Sequence, residues 1–197
     1  MIGGLQRTLT VGGTDYPIRT DYREVLQIFE AFTDPDLESG EKCIIAIYLL
    51  FEDFCCAEDV FKAAENGFDV NEAYDQVLWF LAAGQVNDKK EEKPAYDWAK
   101  DEQMIFSAVN KIAGTETRAA EYIHWWTFLG YFNEIGECNL TFIVGIRKKR
   151  NKHKRLEKHE REFYRDNKDM VDLDPPKTKE RLKEEAEKKA ILTEVFG

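Results

Sequence analysis

The chain has no apolar run longer than the nine residues Cys43-Ile-Ile-Ala-Ile-Tyr-Leu-Leu-Phe51. That is about half of the roughly 18 to 20 residues a membrane-crossing helix needs, so no membrane partner is expected. The first residues, Met1-Ile-Gly-Gly-Leu-Gln-Arg7, lack the basic region, apolar segment and small-residue cleavage site of a secretory signal, and a cytoplasmic protein is expected. Cysteine is scarce: of Cys43, Cys55, Cys56 and Cys138, two are adjacent, a poor arrangement for a disulfide framework, and all are read as reduced thiols. Histidine is scarcer, and His124, His153 and His159 form no short Cys/His spacing of the zinc type. The chain also lacks a phosphate loop, a dinucleotide glycine fingerprint, a nucleophile elbow, a paired-histidine metal helix and a calcium loop. With no motif to carry chemistry, a non-enzymatic protein without catalytic residue, metal or cofactor is expected.

The remaining candidates read as structural. His124 neighbours Ala120, Phe128 and Tyr131 at helical spacing, with no nucleophile or carboxylate placed beside it, and is read as a structural histidine in an aromatic cluster. Asp34, Asp36, Glu38 and Glu41 lack the alternating ligand pattern of a metal loop and are read as solvated surface. Nothing basic lies within four residues of Cys55-Cys56 to lower a thiol pKa.

What the chain does have is core material and an uneven charge. At 197 residues, 43% hydrophobic and 13% aromatic, it can build one domain around a real core. Its 38 acidic and 28 basic residues give a net charge of -10, which argues against a non-specific nucleic-acid coat. Residues 1–146 carry net -15, residues 147–168 carry eleven cations against four anions, and residues 169–197 carry net -2. The composition therefore divides the chain into an acidic body, 1–146, and a basic then mixed-charge arm, 147–197.

The pattern of residues predicts a mainly α fold: a compact helical domain with an N-terminal β-hairpin and a protruding C-terminal helical arm. Thr8–Val11 and Thr14–Ile18 flank Gly12-Gly13, a hairpin turn signal, with Pro17 restricting the second strand to an edge. Asp21 with Glu24 and Asp69 with Glu72 are read as capping boxes, Ser39 as a further N-cap, and Asp97 as the cap of a helix carrying Trp98, Met104, Ile105 and Ala108 that Gly114 closes. A helix is predicted over Glu58–Glu65, ending at Asn66-Gly67, and another from Asp69 to Gly84 with Val70, Tyr74, Val77, Leu78 and Leu81 on one face. Residues 85–95 read as a charged connection. One aromatic helix is predicted from Thr115 or Thr117 to Ile135, with Tyr122, Trp125, Leu129 and Phe132 in a stripe. Leu140–Ile146 is a short element, helical or extended. In the arm, Leu156, His159, Phe163 and Tyr164 mark a basic amphipathic helix, Asp174-Pro-Pro176 breaks it, and Thr178–Ala190 forms a last charged helix before the apolar Ile191–Phe196.

The basic stretch could neutralise phosphates, with its aromatics stacking on bases. The acidic body would be repelled by a polyanion within a Debye length of about 8 Å. Acidic protein, either another copy of this chain or a different one, is the favoured partner over nucleic acid.

The order of Tyr16-Pro-Ile-Arg-Thr-Asp21, Val77-Leu-Trp-Phe80, Tyr96-Asp97, His124-Trp125-Trp126, Gly145-Ile-Arg147 and Phe163-Tyr164 resembles the bacteriophage and prophage proteins named for gene product fifteen, over roughly residues 10–170. In long-tailed phages this family resembles the tail assembly chaperones. The resemblance implies a non-enzymatic chaperone that binds the tape measure protein, and the major tail protein as a further partner, self-associates, and acts in the host cytoplasm without entering the mature virion. A structural virion component, such as a head-tail connector or tail terminator, and a nucleic-acid-binding module are the alternatives. The residues expected to contact a partner are Arg147, Lys148, Lys149, Arg150, Phe163 and Tyr164, with Val195 and Phe196; Trp79, Trp125 and Trp126 are assigned to the core.

Overall fold

The computed structural model describes residues 3–85, 93–173 and Thr178. β1 (Thr8–Val11) and β2 (Thr14–Pro17) pair antiparallel, with Leu9 opposite Tyr16 and Val11 opposite Thr14. Gly12 and Gly13 turn the hairpin at φ 57° and 78°, two successive left-handed conformations that glycine adopts without a Cβ penalty. The alternation of β1 sends Leu9 and Val11 into the core and leaves Thr8 and Thr10 outside.

Helix α1 (Tyr22–Thr33) starts where the Asp21 carboxylate accepts from the Arg23 amide at 2.9 Å, buries Tyr22, Val25 and Ile28, and stops at Asp34, whose extended conformation is the one a following proline favours. Ser39, read from the sequence as a cap, is the first residue of α2 (Ser39–Leu50); the cap is Glu38, in a reciprocal box with Glu41. The apolar α2 lies centrally, against α1, α3 (Ala57–Glu65) and α4 (Val70–Leu81). Asp69 caps α4 as predicted, accepting from the amides of Asn71 and Glu72. Glu72 reaches elsewhere: its Oε2 accepts from the Gly12 amide at 2.7 Å and pins the hairpin turn to α4.

Asp97 accepts from the amides of Ala99 and Lys100 and so caps a turn, while α5 (Glu102–Ala113) begins four residues past Trp98 and ends at Gly114 in the left-handed region. The predicted long aromatic helix is shorter. A 3-10 turn, Thr117–Ala119, leads through extended residues to α6 (Trp125–Asn133). The Tyr22 amide donates to Ile123 O at 3.0 Å, the Trp125 amide donates to Thr20 O at 2.7 Å, and Asp21 bridges His124. These long-range partners take the backbone groups that a continuous helix would need. Tyr122, placed in the helical stripe by periodicity, precedes the helix and is exposed. Tyr22 stacks on Phe128 at 4.3 Å, joining α1 to α6 in the main core.

Leu140–Ile146 is part of α7 (Asn139–Asn151), a helix that runs through the change of composition at 146/147. After α7 come α8 (Lys158–Asp166) and α9 (Lys168–Val171). Ile143, Ile146 and Val171 form a second buried cluster, packed by Met104 of α5 and by Phe142, Leu156, Phe163 and Tyr164. The described part of the segment expected to protrude is therefore folded back on α5 and α7, because α8 and α9 have an apolar side to bury. The predicted helix over Thr178–Ala190, apart from Thr178 itself, and the apolar Ile191–Phe196 lie outside the described residues, as do residues 86–92 of the charged connection.

Candidate functional site

The basic segment is a clasp on its own chain. Arg147, expected at a partner surface, is 3% exposed and faces Asp101, which is fully buried, across the α5–α7 contact. Arg147 Nη2 donates to Asp101 Oδ1 at 3.0 Å and to Met170 O at 2.8 Å, and Nε donates to Val171 O at 2.6 Å. Nη1 donates to Asp101 Oδ2 and to Ala95 O at 3.3 Å. A guanidinium has five N–H donors, and five acceptors meet it here. Burial of an arginine is tolerable only with such pairing, and Arg147 is corrected from a contact residue to a core anchor of the α9 end. The sequence held one signal of it: Arg147 stands four residues after the buried Ile143, on the apolar face of α7.

Of the other expected contact residues that the structure describes, all but Lys148 are also engaged internally. Arg150 pairs with Asp172 and sits 4.2 Å over the Tyr164 ring, whose hydroxyl donates to Asp172 at 3.1 Å. Burial pushes the Asp172 carboxyl up, but the hydrogen bonds from Arg150 and Tyr164 outweigh it and hold the group below its ordinary value. Lys149 donates to Glu160 at 2.6 Å, a bond that raises the ammonium pKa. Phe163 meets the Phe142 ring edge-on at 5.0 Å. Lys148 is exposed, as are Lys152, Lys154, Arg155 and Lys158 beyond it. Val195 and Phe196 lie outside the described residues.

The sequence groups before α1, at the end of α4 and at the start of α6 converge. Arg19 donates to the carbonyls of Tyr48 at 2.8 Å, Phe51 at 2.6 Å and Phe54 at 3.1 Å, covering the C-terminus of α2 with a cation. Trp125 Nε1 donates to Leu81 O at 3.0 Å and Trp126 Nε1 to Phe80 O at 2.9 Å, so adjacent indoles satisfy adjacent carbonyls at the end of α4. The Trp126 ring also stacks on Phe80 and meets Trp79 edge-on, in keeping with their assignment to packing. His124 caps α6: Nδ1 accepts from the Trp126 amide at 3.0 Å, which leaves the proton on Nε2 to donate to Gln6 O at 2.8 Å. Burial, aided by the Arg7 charge, lowers the His124 pKa. The sequence reads His124 as a structural histidine within a helical aromatic cluster; it is instead the N-cap that precedes α6, with the rings of Phe80 and Trp126 beside it.

Two open concavities stand out among the described residues. A polar cleft of about 970 Å³ lies beside Thr20 and Asp21, with Arg7, Arg19, Arg23, Glu24 and Glu121 on its walls. Its arginines are committed: Arg19 to the carbonyls above, Arg23 to Asp21 and Ala120 O, and Arg7 to the face of Tyr122. The second, of about 730 Å³, is an apolar groove between α2 and α3, lined by Ile44, Ile45, Tyr48, Phe61 and Val70, with Glu38 and Glu41 at its rim and Cys43, Cys55 and Cys56 along it. Burial raises the Cys43 thiol pKa, and a hydrogen bond to Glu58 does the same for Cys56, so neither is an activated thiolate. Sequence reasoning missed this groove because the apolar run of α2 reads as core on every side and α3 as an ordinary amphipathic helix; only the helix placement leaves Phe61 53% exposed.

Among the described residues, no group of three or more His, Cys, Asp or Glu side chains is placed to hold a metal ion, and no helix is long and apolar enough to cross a membrane. A family model described as Bacteriophage Gp15 protein matches residues 3–173. Neither the curated proteins nor the solved structures provide a match.

Proposed function

The chain belongs to the Bacteriophage Gp15 protein family, which makes it a phage structural or assembly protein, and from that premise we propose that it is a non-enzymatic tail assembly chaperone that binds the tape measure protein. The observation that carries this reading is the acidic helical body with an open apolar groove, walled by α2 and α3. A tape measure is a long helical chain whose apolar stripes aggregate before tail-tube subunits surround them. A protein that shields it needs a groove for an amphipathic helix and enough net charge to keep the complex dispersed. Here the groove supplies the first and the net -10 the second. Tail-tube subunits are the further partner, and the work is done in the host cytoplasm, the chaperone leaving before the virion is complete.

The test is co-expression with the tape measure protein of the same genome, one protein tagged. The expected result is a tape measure that is soluble only with this protein and elutes with several copies of it. A tape measure indifferent to its presence overturns the reading. Mass spectrometry of purified particles then separates a chaperone, absent from them, from a connector or terminator, which stays.

A further inference from the structure

We propose that the α2–α3 groove of one copy receives the apolar segment Ile191–Phe196 of a second copy, so that the chain associates head to tail. The inference does not depend on the chaperone role: the neighbour's segment would hold the groove when the protein is alone and would give way to a tape measure helix that binds there, so it is tested on the protein by itself.

Three observations lead to it. The groove is apolar, about 730 Å³ in volume, and its wall residue Phe61 is half exposed. Its rim carries Glu38 and Glu41, and the only strongly apolar stretch after α9, Ile191-Leu-Thr-Glu-Val-Phe196, follows directly on Lys188-Lys189-Ala190. A segment entering with its apolar residues in the groove brings that lysine pair to the acidic rim. Finally, the continuous described stretch ends at Leu173, just past α9, which packs on α7, whereas the groove belongs to α2, α3 and the start of α4.

Charge favours a second copy as the donor. The surface around α7 and α8 presents Lys148, Lys154, Arg155 and Lys158, all exposed, while residues 1–146 carry net -15. One copy thus offers a basic patch and an acidic body, which attract each other between molecules. Because the donor segment and the receiving groove are different surfaces, the contact is heterologous and repeats, giving chains of copies instead of closed pairs.

The groove's own cysteines provide the readout. In a Cys138→Ser background, Val195→Cys places one thiol in the donor segment, with Cys43, Cys55 and Cys56 in the groove. Mild oxidation of the full-length protein is expected to give a ladder of covalent dimers and higher species on non-reducing gels. Peptide mapping should join residue 195 to a groove cysteine. Replacing the three groove cysteines by serine should abolish those links. An internal disulfide within single copies, links only between two copies of residue 195, or no link at all each overturn the proposal. Sedimentation velocity supplies a second measure without added thiols: Ile191→Asp with Phe196→Asp should weaken self-association tenfold or more with an unchanged circular dichroism melt. Unaltered association would overturn the proposal as well.

Discussion

Arg147 and Asp101 form an ion pair with 3% and 0% side-chain exposure, joining α7 to the start of α5. Removing one member of such a pair leaves an uncompensated buried charge and costs about 3–5 kcal/mol, whereas replacing both by apolar residues is far less damaging. Asp101→Ala should therefore lower the urea midpoint strongly, and Asp101→Leu with Arg147→Met should recover much of the loss. A single-variant cost below about 1 kcal/mol would show that the pair is hydrated and the clasp loose.

Glu72 ties the hairpin to the body through the Gly12 amide at 2.7 Å. A hydrogen bond to a charged acceptor at an exposed site is worth about 1 kcal/mol, so Glu72→Ala should destabilise by that amount, with the change in hydrogen exchange concentrated at Val11–Thr14. Glu72→Gln keeps an acceptor and should lie between the two. Uniform exchange changes across the domain would contradict a local tether.

The elements were legible where local chemistry decides them. Gly12-Gly13, Asp21, Asp69 and Gly114 all mark boundaries in the fold because turns and caps are settled within a few residues. Long-range pairing was not legible: nothing near Tyr122 announces that residues 120–124 run extended beside Thr20–Tyr22. The same blindness applied to Arg147. Read by composition it belongs with Lys148, Lys149 and Arg150, but one residue of rotation on α7 turns it inward to an aspartate 46 positions away. The apolar groove stayed hidden for a related reason, since an unfilled space between helices depends on how they pack and not on the pattern of either.

His124 predicts an acid sensitivity. Its folded pKa is lowered from the ordinary 6.5 by burial. The unfolded chain therefore binds the proton more readily, so this contribution to stability is complete above about pH 6.5 and is lost as pH falls through the folded value. Protonation also removes the Nδ1 lone pair that accepts from the Trp126 amide. Thermal melts should fall between pH 7.5 and pH 5, and His124→Asn, which retains a capping oxygen and cannot titrate, should flatten that slope. An identical slope in the variant would assign the acid sensitivity to other groups.

The cations of the basic segment fall into two sets that charge alone cannot separate. Lys148, Lys154 and Arg155 are exposed, whereas Arg150 pairs with Asp172 and Arg147 is buried. Reversing the first three to glutamate should leave the melting temperature within the change expected of about ±0.5 kcal/mol for surface substitutions, while Arg147→Glu should prevent folding by placing a second carboxylate against Asp101. If the exposed set serves protein contacts, the triple variant loses self-association or tape-measure capture, and neither the wild type nor the variant shifts DNA or RNA at low salt. If the wild type binds nucleic acid with an affinity that falls steeply as salt rises and the triple variant does not, the exposed cations instead serve phosphate. The two readings thus divide on one folded variant, because the three reversed cations are not those that pair with Asp101, Glu160 and Asp172.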